Sequence, residues 1–398
     1  MDTGGNRTER SPGILLPALA VTASLVLPLA GALVDGQPAA RFLEFPPLTR
    51  YVRHAPFSPL LYSGGLVLFA ALLLPYVLLP GRGPVVVRSG RAPGSMPWWG
   101  RAGLVLCLAT WICAWNRFAW FRPLQAYTFT PLWLGYILIV AGWTRARGGV
   151  ALHRVGNYAV SVPQSCERIR GGIWPAGGQG WRFLLLFPVS SLFWWYFEYL
   201  NRFVQNWYYL GIDDFSAAAY VIHASLCFST VLPAVAVTIG LLDTVPRLHD
   251  PLCRGPALVV HPPRAAGLAL LVLALAGLAG IAVYPDLLFP LVWVAPFLVL
   301  VALQVVAGRP TVFAGLAKGD WRPVLLPPLA ALICGLFWEM WNWQSLARWH
   351  YSIPYVDGPR LFAMPLPGYM GYLPFGLECY AIIRLLGQDP LTTCRLRS

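Results

Sequence analysis

Ten apolar stretches, beginning near Gly13, Ser58, Trp99, Tyr127, Arg182, Ala217, Ala265, Leu288, Pro323 and Pro365, set the terms on which this chain can fold. A helix rises about 1.5 Å per residue, so roughly 20 apolar residues cross a hydrocarbon layer about 30 Å thick. Taking each stretch as one span predicts an all-α polytopic transmembrane bundle of about ten helices, with residues 1–398 forming a single integral membrane domain. Composition points the same way: 57% of residues are hydrophobic, 11% are charged and mean hydropathy is +0.60. No soluble core absorbs that composition.

The arginines orient the bundle. With the N-terminus on the cytoplasmic side and ten spans, 21 of the 29 basic residues fall in cytoplasmic segments. Only Arg41, Arg50, Arg53, Arg117, Arg122, Arg202, Arg348 and Arg360 fall outside. Basic residues accumulate in cytoplasmic loops, so this asymmetry predicts a multi-pass protein of a bacterial inner membrane with both termini cytoplasmic. It also accounts for the formal charge of +13 without nucleic acid as a partner. The single lysine, Lys318, reflects a GC-rich genome rather than arginine-specific chemistry. The first stretch, Gly13 to Val34, resembles a signal peptide in its flanks, but its 22 residues favour a retained helix.

A short constellation then occurs twice. Glu198, Asn201, Trp207 and Tyr209 close the fifth stretch; Glu339, Asn342, Trp349 and Tyr351 close the ninth. Each stretch enters with an arginine, Arg182 or Arg322, and the glutamates follow 16 and 17 residues later, about 25 Å of helical rise. Matching depth predicts a parallel internal repeat, helices five and six against nine and ten, with units of about 181–243 and 321–387. Carboxylates near hydrocarbon cost several kcal/mol, so a repeated acid marks a functional site before it marks anything else.

Residues three and four apart share a helical face. Trp194 therefore joins Glu198 and Asn201 on one surface, and Trp338 joins Glu339 and Asn342. A glutamate among apolar rings has its charged form disfavoured and can serve as a general acid. The indole faces around it can stabilise positive charge by about 0.5–2 kcal/mol each. Glu339 and Glu198 are thus the candidate acid or base. Asn342, Asn201, Trp338, Trp349, Tyr351, Trp194, Trp207 and Tyr209 are the candidate substrate-binding groups. Glu378, deeper in the tenth stretch, is a further candidate. The bland alternatives are an interfacial aromatic belt and Glu-x-x-Asn motifs that pin helices together through interhelical hydrogen bonds. Asp243 and Arg247, four apart, read as an ordinary ion pair.

The eight cysteines include none in an outward loop, so no disulfide framework is expected. No Cys-x-x-Cys occurs and the six histidines are scattered, which leaves zinc, iron–sulfur and bis-histidine haem without sequence support. The cofactor is therefore unknown. The loops from Gly148 to Gly180 and from Thr244 to Pro263 read as surface connections.

The stretches Phe129–Tyr136, Phe193–Asn201 and Trp338–Glu378 resemble a family of bacterial polytopic integral membrane proteins, and that resemblance implies no activity. A weaker similarity is to lycopene-cyclase-type carotenoid enzymes, built of tandem helical repeats with acidic helices, a Trp-x-Tyr and a later Pro-x-Glu-Glu. Here Phe375-Gly376-Leu377-Glu378 lacks that proline spacing and the second glutamate, so the resemblance implies a reaction class and no more. Three functions stay open. The first is a membrane-embedded enzyme acting on an isoprenoid or lipid-linked substrate at the outer side, with membrane lipids as partners. The second is a proton-coupled transporter, and the third a non-catalytic subunit of a membrane complex. Walker, dinucleotide-binding, Gly-x-Ser-x-Gly and His-Glu-x-x-His motifs are absent.

Overall fold

The computed structural model describes residues 15–46, 50–78, 94–147, 153–154, 180–259 and 261–392. Arg7, Arg10, Arg82, Arg88, Arg91, Arg168, Arg170, Arg395, Arg397, Cys166, Cys394 and most of the expected loop from Gly148 to Gly180 lie outside them. The described chain is mostly helical. In order it forms α1 (Leu15–Val34), α2 (Ala40–Leu43), α3 (Pro59–Leu78), α4 (Trp98–Trp115), α5 (Phe129–Ala146), α6 (Gly180–Val204), α7 (Ala217–Phe228) and α8 (Val231–Asp243). There follow α9 (Pro246–Cys253), α10 (Arg264–Gly280), α11 (Pro285–Leu288), α12 (Ala295–Val306), α13 (Arg322–Trp343) and α14 (Tyr372–Leu385).

Nine of the ten expected span starts fall at or beside one of these helices and the tenth, Pro365, precedes α14 by seven residues, but not every helix is long enough to cross a membrane. Pro59–Leu78, Trp181–Val204, Ala217–Asp243 and Arg322–Trp343 qualify by length and hydropathy. Two bent pairs raise the number to six: Trp98–Trp115 with Ala119–Tyr127, bent by 108°, and Pro285–Val292 with Ala295–Val306, bent by 57°. Ala18–Val34 and Arg264–Gly280 are apolar but shorter. Proline explains one shortfall. The stretch from Pro365 opens as a 3-10 turn over Leu366–Gly371 before its 14-residue α-helix begins, because proline lacks the N–H that a helix interior needs.

Helix α8 is the axis of the bundle, with all but one of its residues buried. It contacts α5, α6, α13 and α14. Where α7 passes into α8, the hydroxyl of Ser190 on α6 donates to Phe228 O at 2.6 Å and accepts from Leu232 N–H at 3.0 Å, satisfying backbone groups at the join. At the end holding the α13 N-terminus, Arg322 is 1% exposed and bonds Asp243 at 3.0 Å and Asp320 at 2.9 Å. His249 approaches Asp243 at 2.9 Å, and Thr392 donates to it through both N–H and hydroxyl. The expected partner of Asp243, Arg247, is therefore replaced by Arg322 from another helix, a buried guanidinium held between Asp243 and Asp320. The segment after Thr244 is likewise more than a surface connection, since α9 buries His249, Pro251, Leu252 and Cys253. Cys253 is disulfide-bonded, against an expectation that rested on assigning this loop to a reducing compartment.

Among the described residues, six short strands make three antiparallel ribbons. β1 (His153–Arg154) pairs with β6 (Gln388–Asp389), β2 (Trp207–Leu210) with β3 (Arg348–Tyr351), and β4 (Arg360–Leu361) with β5 (Met364–Pro365). The β2–β3 ribbon joins the segments that follow α6 and α13. It positions the site.

Candidate functional site

The two Trp-x-Tyr segments are these strands, and they pair with each other. Trp207 stands opposite Tyr351, Tyr208 opposite His350, and Tyr209 opposite Trp349. Side chains two apart on a strand share a face, as do residues directly opposite in an antiparallel pair. Trp207, Tyr209, Trp349 and Tyr351 thus stand on one face, related by a local two-fold through the Tyr208–His350 pair.

Each asparagine fixes its own strand. Asn201 donates from Nδ2 to Trp207 O at 2.8 Å, and its Oδ1 accepts from the N–H of Asn206 at 2.8 Å and Trp207 at 3.4 Å. Asn342 donates to Trp349 O and accepts from Trp349 N–H, both at 2.8 Å. These side chains are 0% and 1% exposed, and the backbone occupies both their polar ends.

Each glutamate gathers three donors onto a single oxygen. Glu198 Oε1 accepts from Tyr209 Oη at 2.5 Å, Trp207 Nε1 at 3.0 Å and Trp194 Nε1 at 3.1 Å. Glu339 Oε1 accepts from Tyr351 Oη at 2.6 Å, Tyr372 Oη at 2.9 Å and Trp349 Nε1 at 3.4 Å. Both carboxyls are fully buried, and their Oε2 atoms have no hydrogen-bond partner among the described residues.

The third donor differs between the copies for a steric reason. Trp194 lies one helical turn before Glu198. The corresponding residue before Glu339 is Gly335, where a Cβ would come within 2.4 Å of the Tyr372 ring. The missing side chain admits Tyr372 from α14, and its hydroxyl replaces the indole. Tyr372 is a site residue with no motif to announce it: it lies 33 positions from the glutamate it bonds.

A cavity of about 490 Å³ lies beneath the ribbon, within the 300–1,000 Å³ range common for small-molecule sites. Of the expected residues, Trp194, Trp207, Tyr209, Trp338, Trp349 and Tyr351 line it, joined by Tyr372 and Trp293. Glu198, Glu339, Asn201, Asn342 and Glu378 are not on its wall: the glutamates stand behind their tyrosines and the asparagines behind the strands. Trp293 stacks on Phe197 at 5.1 Å between ring centres and approaches Trp207 at 5.5 Å. His223 also faces the cavity, between Phe215 and Tyr127 at 5.3 and 5.0 Å.

Burial, reinforced by the adjacent carboxylates, pushes the Tyr209 and Tyr351 hydroxyls well above the ordinary tyrosine range, which keeps them protonated as donors. Glu378 on α14 is 5% exposed, with its Oε2 unpartnered among the described residues. Among the described residues no three of His, Cys, Asp and Glu converge as metal ligands would. No protein-family model, curated protein or solved structure matches this chain.

Proposed function

We propose that this protein is a membrane-embedded enzyme acting on an isoprenoid or lipid-linked substrate by acid/base chemistry in the aromatic cavity. One observation carries the reading: tyrosine hydroxyls from residues on the cavity wall bond directly to buried glutamates behind them. A proton passing between Glu198 or Glu339 and a substrate double bond would run through Tyr209, Tyr351 or Tyr372. Positive charge left on the substrate would meet indole faces of Trp194, Trp207, Trp293, Trp338 and Trp349, each contributing about 0.5–2 kcal/mol. Walls that are mostly apolar disfavour water, which would otherwise capture such a cation.

The proposal includes the ten-span topology, the parallel repeat of 181–243 and 321–387, a bacterial inner membrane and cytoplasmic termini, with the ribbon at the outer side. The arginine asymmetry sets this orientation. The Cys253 disulfide pulls the other way, so a reporter fused to the C-terminus decides it. A second reading, a proton-coupled transporter, is favoured by Glu378, an acid deep in the bundle with an unpartnered oxygen.

The test is mass spectrometry of lipids and pigments from cells with and without the protein. Accumulation of an isoprenoid or lipid-linked species in the deletion supports the enzyme and identifies its substrate. An unchanged lipid profile removes the reading.

A further inference from the structure

One arginine is among the residues that border this apolar cavity. Arg348, at the start of β3, stands beside Trp349, and the alternation of the strand turns its side chain to the ribbon face of Tyr208 and His350. Its Nη1 donates to Ser345 O at 3.2 Å, while its Nε is buried with no acceptor among the described residues. Arg117 lies close by, donating to Ala114 O at 2.7 Å and to Gln344 O at 2.8 Å, in the turn that leads to Arg348. Among the described residues neither arginine has a carboxylate within ion-pair distance, whereas Arg360 is paired with Asp357. The positive field is felt locally. After burial itself, the charges of Arg348 and Arg360 hold the His350 imidazole below its ordinary range.

A half-buried guanidinium beside an apolar cavity is costly without a counter-charge. Its planar fork matches the oxygens of a phosphate, and two neighbouring arginines suit a group with more than one negative charge. We propose that the cavity's ligand is an amphiphile with a phosphate or diphosphate headgroup, bound at Arg348 with Arg117 in support, its apolar chain lying against the tryptophans. This rests on the reading of the cavity as a lipid site and adds what anchors the lipid.

The test is tryptophan-fluorescence titration of the full-length protein in detergent. The probes are farnesyl diphosphate, farnesol, inorganic diphosphate and dioctanoyl phosphatidate. Farnesyl diphosphate is expected to bind at least tenfold more tightly than farnesol. Arg348→Gln should abolish that advantage while leaving farnesol affinity unchanged, which also shows that the variant is folded; Arg117→Gln should reduce the advantage severalfold. Whichever of farnesyl diphosphate and the phosphatidate binds more tightly in an Arg348-dependent way identifies the source of the headgroup. Equal affinity for farnesol and farnesyl diphosphate, an undiminished advantage in Arg348→Gln, or inorganic diphosphate binding as tightly as farnesyl diphosphate overturns the headgroup proposal and leaves the cavity reading intact. Binding of none of the three lipid probes overturns both.

Discussion

Trp207 and Tyr351 face each other across a two-stranded ribbon, although they lie in different copies of a repeated motif and bond different glutamates. The pairing makes each copy a wall of the same cavity. Loss of one motif should therefore disturb both.

Asn201 and Asn342 hold the strands in place, and each satisfies buried backbone groups at both its polar ends. Removing a partner from a buried hydrogen bond costs about 1–3 kcal/mol. Asn201→Ala and Asn342→Ala should each lower the thermal unfolding midpoint in detergent by several degrees. Asn116→Ala, which removes an exposed bond to Ile112 O, should leave it nearly unchanged.

Gly335 makes room for Tyr372. Gly335→Ala is expected to displace the ring and break its bond to Glu339, whereas Gly64→Ala meets open space on α3. The first variant should lower turnover of the accumulated lipid at least tenfold, and the second should not. Equal turnover in the two would show that Tyr372 has no part in the site.

Arg322 and Asp243 form a buried pair joining α13 to α8. Breaking such a pair by removing one partner costs about 3–5 kcal/mol, because a buried charge is left uncompensated. Arg322→Met should sharply reduce the yield of folded protein. Asp357→Asn, which breaks a more exposed pair with Arg360, should change it little.

Tyr209 and Tyr351 supply the pH prediction. An unperturbed tyrosine ionises near pH 10, and both hydroxyls are held above that value by burial and the adjacent glutamates. Their folded-state values are raised, so the stabilisation they give is complete below about pH 10 and is lost as pH climbs through the folded values. Alkaline titration followed by tyrosinate absorbance should show a late component that coincides with unfolding. That component should shrink in Tyr209→Phe and in Tyr351→Phe.

Much of this site can be read from the chain, and the remainder has identifiable physical causes. The two Glu-x-x-Asn pairs stand out because an acid is rare in so apolar a setting, and helical spacing puts Trp194 on the face of Glu198. The strands do not stand out: each is only four residues long and follows closely on a long apolar helix, too short for an alternating pattern to develop. Asn201 and Asn342 bond the backbone of their own strands, a role that depends on where the chain turns after each helix. Tyr372 and Trp293 come from distant elements, and only folding shows that Gly335 leaves space for one of them.

In the proposed reaction Glu339, acting through Tyr351 and Tyr372, exchanges protons with a lipid in the cavity. The direct measurement is the lipid profile of a deletion strain complemented with the intact protein, Glu339→Gln, Tyr351→Phe or the Glu339→Gln/Tyr351→Phe double variant, all at equal membrane levels. Only the intact protein is expected to restore the profile, with the double variant no worse than Glu339→Gln alone, because the two groups act as a unit. Full restoration by Glu339→Gln would contradict it, and the glutamate would then be a structural hydrogen-bond acceptor.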